Sequence, residues 1–164
     1  MSKVLRKKPI MKTEWILIAN ASVARLFSRE SDSDPLLPLH SFEHAESRLK
    51  ASELADDRLV HDSNDWRPGG VSFEPRMDPR RKQHLKFARE LTQHLAEGLA
   101  SGACDRITLY ASSPFLGELK GKLSPAAKKA LRAAVVVDLT SYGLRELEER
   151  IAHELQALHA KPQT

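Results

Sequence analysis

The sequence predicts an α/β fold, a mixed β-sheet of about five strands flanked by helices. Three observations predict it. Two apolar runs near the start, Trp15 to Ala19 and Val23 to Ser28, are separated only by the short turn Ala21-Ser22, the pattern of a β-hairpin. From Asp78 onward, helical and strand patterns alternate, which in a layered domain implies parallel pairing through helical crossovers. The chain has 164 residues, 41% apolar and 29% charged, enough to hold a core without disulfides.

Each element has a local cause. Glu14 to Asn20 is a continuous apolar run of strand length. Val23 to Ser28 is its hairpin partner, and Asp32 to Pro35 is a polar turn. Leu36 to Phe42 is a third strand, with Pro38 favouring an edge. Residues 43–58 are charged, bury little and are partly helical in pattern. Residues 59–77 read as a long loop broken by Pro68, Gly69, Gly70 and Pro75. Asp78 followed by Pro79 is a helix start, and Phe87, Ala88, Leu91, Leu95 and Leu99 carry one apolar face to about Ser101, where Gly102 ends the helix. Arg106 to Ala111 is a strand. Ser113-Pro114 and Ser124-Pro125 repeat the cap-plus-proline signal, so two short helices follow. Ala134 to Leu139 reads as a buried strand built on Val135, Val136 and Val137. Leu144, Leu147, Ile151, Leu155 and Leu158 line one face of a C-terminal helix.

The charge is unevenly placed. The net charge is +4, but residues 1–13 carry Lys3, Arg6, Lys7, Lys8 and Lys12 and no acid, leaving −1 (four minus five) for residues 14–164. Residues 1–13 are therefore expected to be a disordered basic tail, and residues 14–164 a single α/β domain. No apolar run approaches the roughly 20 residues of a membrane helix, and no membrane partner is expected. Lys12 and Glu14 interrupt what a secretory signal would need as its apolar core. The one cysteine, Cys104, excludes an internal disulfide. These features predict a cytoplasmic protein.

One stretch concentrates positive charge. Arg76, Arg80, Arg81, Lys82, Lys86 and Arg89 fall within fourteen residues, opposed only by Asp78. They surround a helix N-terminus, whose free amides and partial positive charge favour phosphate. Just upstream, Gly69 and Gly70 allow a backbone to approach a ligand closely. Trp66 and Arg67 flank them, and an aromatic in such a loop suits stacking on a base. The stretch equally fits a solvated helix face. No cofactor is expected: the glycine pair lacks both the GxGxxG spacing and the Walker lysine–hydroxyl ending. No metal is expected either, because the seven histidines are scattered and His40 with His44 lacks a third ligand. Asp138, at a strand end, reads as a loop cap. Cys104 reads as a small half-buried residue without an activating partner.

Several motifs in combination resemble a bacterial family called "protein required for attachment to host cells". They are Trp15-Ile16-Leu17-Ile18-Ala19, His44-Ala45-Glu46-Ser47-Arg48-Leu49, Glu74-Pro75-Arg76-Met77-Asp78-Pro79, Phe87-Ala88-Arg89-Glu90-Leu91, Phe115-Leu116-Gly117 with Leu123-Ser124-Pro125, and Asp138-Leu139-Thr140. The resemblance spans residues 14–158. That family is in turn similar to the middle domain of archaeal and eukaryotic peptide-chain release factors, which implies a ribonuclease H-like topology. In those factors a Gly-Gly-Gln loop before a basic helix promotes attack of water on peptidyl-tRNA. Here Gly69-Gly70 precedes the basic helix, but Val71 stands where the glutamine would be. Valine cannot hydrogen-bond a water or a ribose hydroxyl, so the resemblance implies the fold and an RNA partner without the hydrolytic role. The reading favoured is a non-catalytic, translation-associated module that binds ribosomal RNA or tRNA through Trp66, Arg67, Gly69, Gly70, Arg76, Arg80, Arg81, Lys82, Lys86 and Arg89. The alternative is an interaction or stress protein that affects attachment indirectly and has no RNA role.

Overall fold

The structure is a computed structural model, and it describes residues 12–44 and 78–160. The N-terminal tail to residue 11, the charged segment 45–58 and the loop 59–77, with Trp66, Arg67, Gly69, Gly70 and Arg76, lie outside the described residues.

Five strands form one sheet: β1 (Glu14–Ala19), β2 (Val23–Arg29), β3 (Leu37–Glu43), β4 (Arg106–Ala111) and β5 (Leu131–Val136). Their order is β3-β2-β1-β4-β5. The pairs β1–β2 and β2–β3 are antiparallel, while β1–β4 and β4–β5 are parallel. This is the mixed sheet expected. Helices α1 (Pro79–Ala100), α2 (Phe115–Lys122), α3 (Pro125–Ala130) and α4 (Leu144–Ala160) flank it.

The central strand explains the layering. Alternate residues of a strand face opposite ways. Trp15, Leu17 and Ala19 pack with Phe87, Leu91 and Leu95 of α1, Phe115 and Leu119 of α2, and Ala127 of α3. Ile16 and Ile18 pack on the other face with Leu147, Ile151 and Leu155 of α4. A strand covered on both sides has no polar face, hence the unbroken apolar run.

Local signals set most boundaries. Asp78 Oδ1 accepts from the Arg80 backbone N–H at 3.1 Å, and Pro79 opens α1. Gly102, with φ +79°, takes the left-handed conformation that ends it. Ser124 Oγ accepts from Ala127 N–H at 3.1 Å and starts α3. In the hairpin turn, Asn20 Oδ1 accepts from both Ser22 and Val23 N–H.

Two expectations are corrected. Helix α2 begins at Phe115 with Pro114 in the capping position, and Ser113 makes no capping bond. Strand β5 begins at Leu131, three residues earlier than expected, because α3 ends after six residues. It is also an outer strand and not a buried one: Val135 and Val137 touch the α4 core, while Val136 is 64% exposed. A run of valines signals strand, but its burial depends on which neighbours cover it.

Gly98 fixes how closely α1 lies on the sheet. A Cβ on Gly98 would stand 2.3 Å from Trp15 Cζ3, well inside van der Waals contact. The Trp15 indole stacks on His94 one turn earlier, with ring centroids 5.6 Å apart. Gly98→Ala is therefore expected to destabilise the fold by about 1–3 kcal/mol despite alanine's better helix propensity. Urea denaturation checks this; a variant as stable as wild type contradicts it.

At the sheet's end, Arg132 grips Asp32 through two bonds of 2.7 Å. The Arg132 bond, foremost, holds the Asp32 carboxyl below its ordinary range against the opposing effect of burial. A lowered carboxyl contributes stability that is complete above the unfolded value of roughly 3.9 and is lost as pH falls through the lower folded value. The stability gap between wild type and Asp32→Asn should thus be constant near neutrality and close in acid. A gap that opens as acid is added would contradict it.

Candidate functional site

Helix α1 runs 22 residues, but none of its first eight is buried; its buried residues run from Phe87 to Gly98. Helical spacing divides the basic residues of the overhanging turns into two sets. Lys82, Lys86 and Arg89, at i, i+4 and i+7, share the face turned away from the sheet, and all three are exposed. Arg80 and Arg81 instead line a cleft of about 680 Å³ between α1 and α2. No acidic residue lies between Asp78 and Glu90. Among the described residues, none of these five side chains makes an ion pair.

The opposite wall of the cleft comes from α2: Gly117, Glu118, Gly121 and Lys122. These residues were missed in the sequence, where glycines at i and i+4 of a short helical run do not by themselves mark a site. Between the walls sits His84, half-buried. Burial holds its imidazole below the ordinary value, with the nearby Glu118 carboxylate pulling the other way. One Glu118 oxygen, Oε2, is buried without a hydrogen-bond partner.

The remaining candidates resolve as structural. Asp138 accepts from Thr140 N–H at 2.9 Å and Thr140 Oγ1 at 2.6 Å, and from Asn20 Nδ2 at 3.2 Å. It caps its loop, as expected. Burial tends to raise its carboxyl, but the Thr140 and Asn20 bonds outweigh that and lower it. Cys104 is buried more completely than expected, at 2% exposure, and its thiol is pushed up to about 11 by burial and then by Asp105. Such a thiol is un-ionised at neutral pH. His40 meets Phe42 at a tilt and His94 edge-on, while His44 stacks on Phe87 and shares a 3.0 Å hydrogen bond with Gln83. Among the described residues no group of three His, Cys, Asp or Glu side chains is placed to hold a metal ion. No described helix is long and apolar enough to cross a membrane.

Comparison with known proteins adds the following. No curated protein matches the chain. Similar solved structures include an archaeal translation termination factor, aRF1, at 12% identity and TM-score 0.45, covering 90% of this chain and 39% of that one. A non-polymerisable quadruple mutant of pCBH ParM gives 9% identity and TM-score 0.44, covering 91% of this chain and 47% of that one. An archaeal protein gives 14% identity and TM-score 0.41, over 90% of this chain and 38% of that one. The chain thus spans about two-fifths to one-half the length of these structures, and likeness at this level carries no functional weight. A match to a protein family, by contrast, does carry weight. Residues 15–151, most of the chain, match the family described as "Protein required for attachment to host cells", and the protein belongs to that family.

Proposed function

We propose that this protein is a non-catalytic RNA-binding module that engages ribosomal RNA or tRNA through the first turns of α1. One observation carries the reading: Arg80, Arg81, Lys82, Lys86 and Arg89 form a run of exposed cations with no acidic residue between Asp78 and Glu90 and, among the described residues, no ion-pair partners. Arg150 on helix α4 shows the contrasting arrangement. It pairs with Glu146 one turn away at 3.2 Å, so its charge is balanced within the surface. Arg80, Arg81 and Lys82, in the first turn, oppose the helix dipole by a few tenths of a kcal/mol each. Like charges at i, i+4, such as Lys82 and Lys86, add a penalty of similar size. A phosphate backbone along this face relieves both.

Affinity for single-stranded RNA should fall steeply with salt, with a log–log slope of roughly −0.7 per phosphate contact. Replacing Arg80, Arg81 and Lys82 together by glutamine is expected to flatten that slope by about two units while leaving the fold intact. Co-sedimentation with ribosomes across a salt series, on chains with and without residues 1–13, separates this face from the basic tail. If the chain lacking the tail binds ribosomes and RNA no better than an uncharged control at low salt, the reading is wrong.

A further inference from the structure

The α1–α2 cleft holds more than a basic wall. Its cations come from two helices, Arg80 and Arg81 from one and Lys122 from the other. Its volume is in the range of small-molecule sites, roughly 300–1,000 Å³, and well beyond a single ion. Its floor is bare. Gly117 and Gly121 lie one turn apart on the exposed face of α2, and a Cβ at either would meet nothing within 4 Å. Neither has positive φ. Packing and backbone conformation therefore leave both positions open to alanine, while glycine inside a helix costs up to about 1 kcal/mol relative to alanine. What the glycines provide is an uncovered stretch of helix against which a bulky group can lie. The cleft also contains two acids. Asp78 is occupied in capping α1, but Glu118 Oε2 is an acceptor with no donor. A buried acceptor without a partner is costly, so an occupant bringing a hydroxyl is favoured over one bringing only negative charge.

Resting on the RNA-binding reading above, we propose that this cleft seats a ribose–phosphate segment of single-stranded RNA. Arg80, Arg81 and Lys122 hold the flanking phosphates. The sugar packs against Gly117 and Gly121, and its 2′-hydroxyl donates to Glu118. The cleft thereby distinguishes RNA from DNA, because only RNA carries that hydroxyl.

Fluorescence anisotropy on the full chain, with a short single-stranded RNA and a DNA of the same sequence, tests this. Wild type should bind the RNA more tightly than the DNA. Gly117→Ala and Gly121→Ala should each weaken RNA binding by about tenfold, the effect of a methyl forced into an occupied contact, with Tm unchanged or raised. Glu118→Ala should remove the preference for RNA while retaining binding to DNA. If wild type binds RNA but both glycine variants bind it equally well, or if RNA and DNA bind alike, the cleft assignment is overturned and the α1 face alone remains. If wild type binds neither, the RNA-binding reading falls with it.

Discussion

A single buried carboxylate organises the sheet. Glu14, the first residue of β1, is fully buried. It accepts from Arg29 Nε on β2 at 3.2 Å, from Arg132 Nη1 on β5 at 3.3 Å, and from Thr108 Oγ1 on β4. Arg132 in turn holds Asp32 in the turn after β2. Four strands thus meet at one acid. Removing one partner of a buried pair leaves an unpaired charge and costs about 3–5 kcal/mol, whereas an apolar replacement of the whole group is often neutral. Its value lies in specificity. The β1–β2 register sets Glu14 opposite Arg29, and a slip of one residue would turn Glu14 toward the other face of the sheet.

That register reaches the candidate interface through Trp15. The residue after Glu14 faces the opposite layer, where it lies against Gly98 and His94 and fixes α1 on the sheet. Phe87, stacked on Phe115 at 5.8 Å and His44 at 5.2 Å, holds the helix further toward its N-terminus. Twenty-two helical residues extend about 33 Å, while a six-residue strand covers about 20 Å. The helix must overhang the sheet, and being anchored from Phe87 to Gly98 it overhangs at its N-terminal end. The cations of the first turns are exposed because the core ends before they begin. Helix α2, packed beside α1, then makes the second wall of the cleft.

What was legible in the sequence was local. The hairpin and the starts of α1 and α3 follow from side chains bonding to backbone a few residues away, and Asn20, Asp78 and Ser124 do this. Strand β5 was misplaced because burial is a tertiary property: Val136 has the composition of a core residue and the position of an edge. The Glu14 network was invisible, since its members at 14, 29, 108 and 132 are brought together only by strand order. The basic half of the cleft was read directly from charge clustering. Its α2 half was not, because Gly117 and Gly121 become informative only once the space in front of them is seen to be empty.

The central claim is that the overhanging turns of α1 meet RNA. Backbone amide chemical shifts, followed by NMR as a short single-stranded RNA is added to the full chain, test it most directly. The account predicts the largest changes between Arg80 and Lys86, smaller ones along α2, and none along α4, where Arg150 is already paired with Glu146. Shifts centred on α4 or on β3, with the first turns of α1 unchanged, would contradict it.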